Sequence, residues 1–385
     1  MICRITISRL PSSPTFTEQV RNAYLLEQKE KHAAPVSKRV SPLILLFVPA
    51  ALVVWAGVYL IDAFADLPQR PRAPLSPSND STFIFIGDTQ SPLWPETFIL
   101  DENGNEEARE MLFRDILSGA PGAVFHSGDL VALGFNQSHW EPIDRFTDSL
   151  ADRKIPFFPV PGNHEYMLFG DQGIGNFRAR FPFARETGYV VRLGPLALVL
   201  VNSNFSALPR EQIRKQKIWY DSILQELDRD TLVSGIIVTC HHAPFTNSRI
   251  VDPSEEVQKQ FVPGFIASEK GLVFITGHCH AFEHFIVGGE HFLVSGGGGG
   301  LQQPLLVGKD QRRADQFSPP TEKRMFHYLQ GELIAGSLRI EVRMLRNNLR
   351  GFETTHSVAL PLKHGRIRPP SSPVDSSAIV QQPAG

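Results

Sequence analysis

Acidic, amide and histidine side chains recur in five short segments of the chain. Carboxylate, amide and imidazole groups are common protein ligands of the divalent cations that activate water for hydrolysis. Each segment alone is a weak signal, because Gly-Asp is frequent in turns and a single histidine often serves a local hydrogen bond. Together they predict a site that holds metal ions. The segments are GDTQ (87–90), GDL (128–130), GNHE (162–165), HHAP (241–244) and GHCH (277–280).

Each of these segments follows an apolar run with the composition of a buried strand. In sheets of α/β proteins, ligands collect at the carboxyl ends of strands, where loops project side chains from a rigid frame. The pattern therefore predicts that the five segments meet at one edge of the strands. The runs, rich in β-branched and aromatic residues, are 82–86, 123–126, 156–160, 235–240 and 272–276.

The residue types within the segments suggest separate roles. Two cations about 3.5–4 Å apart need a shared anionic ligand and further oxygen and nitrogen donors. We expect Asp129 to be the shared ligand, and Asn163 to offer a neutral amide oxygen. His278 and His280 are one residue apart and can reach one cation each. His164 lies beside Asn163 and is positioned to protonate a leaving group.

The set of motifs resembles the calcineurin-like metallophosphoesterases, and within them the purple acid phosphatase branch. The resemblance runs from about residue 81 to at least residue 300, and includes HAPFTNS (242–248), GHCHAFEH (277–284) and the glycine run 296–300. It implies an α/β fold, a four-layer α/β/β/α sandwich of two mixed β-sheets. It also implies hydrolysis of a phosphate ester at a dinuclear metal site, with a bridging hydroxide as nucleophile and His164 as the catalytic histidine.

The same resemblance divides the ligands between two divalent metal ions. One ion would be held by Asp88, Asp129 and His280, and the other by Asp129, Asn163, His242 and His278.

Two positions depart from the family pattern. Gln90 stands where the family usually has histidine, so its neutral amide would be a weaker ligand of the first metal. Ala132 stands where the purple enzymes have a tyrosine ligand, which puts ferric iron in doubt. Mn, Zn and Fe(II) all remain compatible with the ligand types.

Several histidines and one asparagine have alternative interpretations. His241 and His242 compete for one ligand role; the His-x-Pro spacing favours His242, which leaves His241 as a substrate-binding residue. Asn202, at the end of the apolar run 196–201, is a second candidate substrate contact, although turn chemistry also explains it. We expect local hydrogen bonds for His126, His284 and His291.

A run of 20 uncharged residues, 42–61, precedes the motifs. It is long enough for a transmembrane helix across about 30 Å of hydrocarbon. The positive charges that precede it, including Lys38 and Arg39, predict a cytoplasmic amino terminus and an extracytoplasmic catalytic domain. A small-x-small sequence at 63–65 keeps secretion after signal cleavage as the alternative.

Composition and linkers complete the predicted organisation. A net charge of −2 and a pI near 6.7 provide no basic field for nucleic acid. The predicted substrate is a phosphomonoester of a small molecule or lipid. A phosphodiester or a pyrophosphate is the alternative substrate. The alternative to an enzyme is a binding or sensing protein with a degraded metal site. The segments are a mostly disordered cytoplasmic tail (1–41), the anchor (42–61), a Pro-rich linker (62–80), the catalytic domain (81–362) and a disordered Pro/Ser-rich tail (363–385).

Overall fold

The computed structural model describes residues 82–102, 104–185, 187–317, 319 and 321–363. The predicted cytoplasmic tail, membrane anchor and linker lie outside the described residues, as does nearly all of the carboxyl-terminal tail. Among the helices of the described part, none combines the length and the apolar composition needed to cross a membrane.

Twelve strands and six α-helices make up the described part of the chain. The strands are β1 (Thr82–Ile86), β2 (Val124–His126), β3 (Phe157–Pro159), β4 (Gly188–Leu193), β5 (Leu196–Val201), β6 (Gly235–Cys240), β7 (Gly271–Thr276), β8 (Phe282–Val287), β9 (Glu290–Ser295), β10 (His327–Ile334), β11 (Ser337–Leu345) and β12 (Phe352–Pro361). The helices are α1 (Asn105–Gly119), α2 (Glu141–Asp152), α3 (Gly170–Arg180), α4 (Arg210–Arg229), α5 (Glu255–Gln260) and α6 (Val262–Ala267).

The strands form two mixed sheets of six strands each. The first has the order β12-β11-β10-β1-β2-β3, and the second β4-β5-β6-β7-β9-β8. In the first sheet β1, β2 and β3 are parallel, with Ile86 paired to His126 and His126 to Pro159. In the second sheet β5, β6, β7 and β9 are parallel. The loops that follow neighbouring parallel strands therefore leave each sheet at one edge.

The side chains of β5 explain how the two sheets are covered. Leu196, Leu198 and Leu200 belong to a core that also contains residues of the first sheet and of α1 and α2. The alternate residues, such as Val199, belong to a second core shared with α4 and α6. Since side chains alternate across a strand, the whole apolar run is buried on both faces. The prediction of two mixed sheets with packed helices is confirmed.

Candidate metal centre

Loops from both sheets bring the five predicted segments together. From the first sheet, Asp88 follows β1 and Asp129 follows β2, and both carboxylates are almost completely buried. From the second sheet, His241 follows β6 and His278 follows β7. The two sheets thus contribute the carboxylates and the imidazoles of one centre.

The first group of side chains consists of Asp88, Asp129 and His280, whose potential ligand atoms lie within 4.8 Å of one another. His280 Nε2 is 3.5 Å from Asp88 Oδ1. The amide nitrogen of Gln90 lies 3.1 Å from His280 Nε2 and 3.5 Å from Asp129 Oδ2. Gln90 Oε1 is buried without a hydrogen-bond partner among the described residues. The Gln90 side chain therefore lies beside this group.

The second group consists of His241, His242 and His278. His241 Nε2 lies 2.9 Å from Asn163 Oδ1 and 3.2 Å from Asp129 Oδ2. It also lies 3.1 Å from His278 Nδ1. Asp129 consequently contacts residues of both groups, which is the position expected of a shared ligand.

The hydrogen bonds of two histidines determine which nitrogen faces the centre. His241 Nδ1 is 3.0 Å from Ser127 O, and His280 Nδ1 is 2.7 Å from Leu301 O. A carbonyl oxygen only accepts, so each Nδ1 carries a proton and donates it. Once Nε2 has lost its proton, its lone pair points at a carboxylate oxygen, of Asp129 for His241 and of Asp88 for His280, and these oxygens are acceptors as well. A cation between these atoms would satisfy all of them, and the donor set fits divalent metals.

His241 and His242 have different surroundings. His241 contacts Asp129 and Asn163 as described above, whereas His242 Nδ1 lies 2.9 Å from Ser203 Oγ. The geometry therefore favours His241 for the ligand role that the His-x-Pro spacing assigns to His242. The ring centroids of His242 and His278 are 4.5 Å apart, so His242 still borders the centre.

Charges within the centre shift the pKa values of its acids and bases. Burial opposes ionisation of Asp129, but the imidazoles of His241 and His164 hold the pKa of Asp129 below its usual range. Burial and the neighbouring Asp129 raise the pKa of Asp88 well above its usual value. Although burial favours its neutral form, Asp129 raises the pKa of His241 to about 9. A metal ion can replace the proton that His241 holds.

Backbone conformation around the centre is unusual. Asp88, Asp129 and His278 have φ angles of 59°, 55° and 68°, in a left-handed region that residues other than glycine rarely adopt. A Cβ atom on Gly162 would lie 2.2 Å from Asp129 Oδ1, and one on Gly300 would lie 2.5 Å from the His280 ring. The glycine run 296–300 therefore approaches the centre closely. Strained ligand-bearing residues of this kind are typical of functional sites.

Glu165 has a structural role that the sequence motifs did not reveal. Its carboxylate is fully buried and accepts hydrogen bonds from the backbone N–H of Asp129 (3.1 Å), Leu130 (2.9 Å) and Gly162 (2.6 Å). It therefore fixes the loop that carries Asp129 against the loop that carries Asn163. The sequence signal for this role was an acidic residue directly after Asn163 and His164.

Asn202 is almost completely buried. Its Nδ2 donates to Tyr166 Oη at 2.8 Å, and its Oδ1 accepts from the backbone N–H of Asn204 at 2.9 Å. The first of these bonds holds Tyr166, which follows Glu165. Contact between Asn202 and a substrate stays a prediction.

The remaining histidines all have hydrogen-bond partners. His126 Nε2 lies 3.0 Å from Thr89 Oγ1, and its Nδ1 accepts from the backbone N–H of Gly128 at 3.2 Å. His284 lies 2.9 Å from His291 and 3.0 Å from His356, because the pairing of β8 with β9 and the position of β12 bring these rings together.

Two mixed sheets whose loops converge on buried carboxylates and imidazoles form a framework suited to metal binding. The sequence model of the calcineurin-like phosphoesterases matches residues 81–282, and the chain belongs to this family. It is by family a phosphoesterase, and the members of this family bind divalent metals.

Solved structures share this fold at low sequence identity. GAP50, described as the anchor in the inner membrane complex of Plasmodium, matches with a TM-score of 0.57 and 15% identity, over 73% of this chain and 89% of that one. The purple acid phosphatase PPD1 from yellow lupin (Lupinus luteus) seeds matches with a TM-score of 0.53 and 15% identity, over 76% of this chain and 55% of the lupin chain. No curated protein matches the sequence.

Proposed function

We propose that the chain hydrolyses a phosphomonoester at a site for two divalent cations. The observation that carries this proposal is the position of Asp129, which belongs to a group with Asp88 and His280 and lies 3.2 Å from His241 in the other group. One carboxylate in contact with both groups is what two neighbouring cations require.

The side chains divide between the two cations as follows. Asp88, Gln90, Asp129 and His280 would hold one ion, and Asp129, Asn163, His241 and His278 the other, with His242 as the alternative to His241. Oxygen and imidazole donors suit Mn, Zn or Fe(II). When bound, the cations supply an activated water nucleophile and neutralise charge that develops on the phosphate.

His164 is the proposed proton donor to the leaving oxygen. Its Nδ1 donates to the carbonyl oxygen of Ala132 at 2.6 Å, so Nε2 is the atom available to the reaction. Its backbone N–H donates to Asp129 Oδ1 at 2.9 Å, and its Nε2 lies 3.8 Å from Asp129 Oδ2. Burial favours the neutral ring, yet Asp129 raises the pKa of His164, which favours a proton on it before transfer.

A substrate panel tests the proposed function. The purified chain is assayed with phosphomonoesters, phosphodiesters and a pyrophosphate, first after chelation and then after addition of Mn, Zn or Fe(II). We expect metal-dependent hydrolysis that is fastest for monoesters, and a kcat about 10²–10⁴-fold lower for His164→Asn. Faster turnover of a diester or a pyrophosphate would contradict the assignment of a phosphomonoester substrate. Metal binding without any hydrolysis would contradict the proposed enzymatic activity and favour a binding or sensing protein.

We also propose that residues 42–61 anchor the chain in a membrane and that the catalytic domain, 81–362, lies on the extracytoplasmic side. Support comes from the 20 uncharged residues of this run and the positive charges before it.

A further inference from the structure

Exposed apolar side chains are concentrated beside the metal centre. Nine large apolar side chains are exposed in the described residues, and five of them lie on two short segments, 94–99 and 168–169. The first segment follows Gln90, and the second follows His164. We call these five the apolar rim: Trp94 (72% exposed), Phe98 (67%), Ile99 (39%), Leu168 (72%) and Phe169 (51%).

Both segments of the apolar rim rest on one small core. Leu133 and Phe135 are buried there, and Leu93 and Met167 pack against them from the two sides. The Phe169 ring meets the Phe135 ring edge to face, with centroids 4.9 Å apart. This core follows Asp129 in the chain, so three segments that carry site residues continue into one apolar surface.

Leu168 is held in an unfavourable conformation. Its φ angle is 62°, in the left-handed region that suits glycine or asparagine better than leucine. The side chain is also 72% exposed, so burial in the core does not compensate for the backbone conformation. A strained, exposed residue of this kind beside a reaction site suits contact with a bound molecule.

The segment 94–99 is tied back to the small core through Glu96. This residue lies between Trp94 and Phe98, and its Oε2 accepts from the backbone N–H of Leu93 at 2.7 Å. Leu93 packs against Leu133 and Phe135. The same loop contacts His164, whose Nδ1 donates to Ala132 O at 2.6 Å and whose carbonyl accepts from the backbone N–H of Gly134 at 2.9 Å. The segment 94–99 therefore packs on the loop that holds His164.

We propose that the apolar rim binds the hydrocarbon part of the substrate, so that the enzyme prefers phosphate esters of apolar alcohols. The inference rests on the proposed function, in which His164 protonates the leaving oxygen. The leaving alcohol then departs on the side of His164, and Leu168 and Phe169 follow His164 by four and five residues. Contact between an alkyl chain and exposed aromatic and leucine side chains removes apolar surface from water.

A homologous series of n-alkyl phosphates, from methyl to octyl, tests the proposal with the metal-loaded full chain. We expect kcat/KM to rise roughly two- to fourfold for each methylene that reaches the rim. In the double variant Trp94→Gln/Leu168→Asn this dependence on chain length should be lost. Both residues are exposed, and asparagine tolerates the backbone conformation of Leu168. Leu232→Asn is the matched control, because Leu232 is 76% exposed and lies between α4 and β6.

Binding provides a readout that does not need turnover. Calorimetric titration with octyl phosphonate and methyl phosphonate, which resist hydrolysis, should give a tighter Kd for the octyl compound in the parent and in Leu232→Asn. The double variant should bind the two compounds with similar affinity.

The possible outcomes separate the two proposals. Absence of hydrolysis for every ester, with octyl selectivity retained in binding, would contradict the proposed function and leave the apolar rim as a ligand site. Hydrolysis with no dependence on chain length would overturn the apolar rim proposal alone. Binding of the parent and the double variant to phospholipid vesicles is measured as well. If the double variant loses vesicle binding but keeps the chain-length dependence, the apolar rim is a membrane contact and the proposal is overturned.

Discussion

At the scale of single residues, the direction of each imidazole determines what it can bind. The alternation of side chains along β6 explains why His241 rather than His242 faces Asp129. Ile237 belongs to the core shared with the first sheet, which is the inner face, whereas Ile236, Val238 and Cys240 belong to the second core, shared with α4 and α6. Because side chains alternate, His241 continues the inner face. The sequence alone did not reveal which face of this strand is the inner one, and the spacing to Pro244 favoured His242.

Paired alanine substitutions separate the two histidines. His241→Ala should lose one metal ion per chain and most of the activity, because its Nε2 faces Asp129 and Asn163. His242→Ala should retain both ions, with a smaller loss of activity. Metal analysis of the purified variants is the measurement. Loss of an ion only in His242→Ala would return the ligand role to His242.

Gln90 provides a second prediction at this scale. The Gln90→His substitution replaces a neutral amide with a stronger donor at a position 3.1 Å from His280 Nε2, so the first metal should be retained better. Gln90→Ala should retain it less well. Metal content after stepwise dialysis is measured for both variants and the parent. If neither substitution changes the metal content, Gln90 is not a ligand.

At the scale of secondary structure elements, the elements carrying the site were the ones predictable from sequence. The predicted runs 82–86, 196–201 and 235–240 are β1, β5 and β6. These strands are buried on both faces and read as unbroken apolar runs. Strands β10 to β12 were not predicted, because they carry no site motif, although β11 alternates buried with partly exposed residues as a half-buried strand does.

A chain of three histidines joins β8, β9 and β12. His284 lies 2.9 Å from His291 and 3.0 Å from His356, and its backbone N–H donates to Asp315. Burial, followed by the two neighbouring imidazoles, lowers the pKa of His284 to about 4. Burial also lowers the pKa values of His291 and His356.

These pKa shifts predict acid destabilisation of this region. Each ring binds a proton more readily in the unfolded chain than in the folded one. These histidines therefore do not lower the free energy of unfolding above about pH 6.5, and they lower it increasingly as the pH falls towards 4. The thermal midpoint of His284→Asn should fall less between pH 7.5 and pH 5 than that of the parent, by roughly 2–4 °C. Thermal unfolding of both proteins at the two pH values is the measurement. Equal decreases would remove His284 from the pH response.

At the scale of the whole molecule, the proposed anchor determines where the reaction takes place. The full chain should remain with membranes after an alkaline wash, and a reporter fused after Gly385 should be active on the extracytoplasmic side. Removal of residues 1–61 should release the protein. A mature form that begins near Asp66 and is recovered in the medium would favour signal cleavage instead.

The central claim is that Asp129 serves two metal ions in one hydrolytic centre. Asp129→Asn keeps the size of the side chain and removes the negative charge that faces both groups. Elemental analysis of the purified parent and variant, with hydrolysis of a phosphomonoester measured on the same samples, tests the claim directly. We predict two ions per chain in the active parent, and reduced occupancy of both positions with at least about a hundredfold lower kcat in Asp129→Asn. Retention of two ions with normal turnover in the variant would contradict the account.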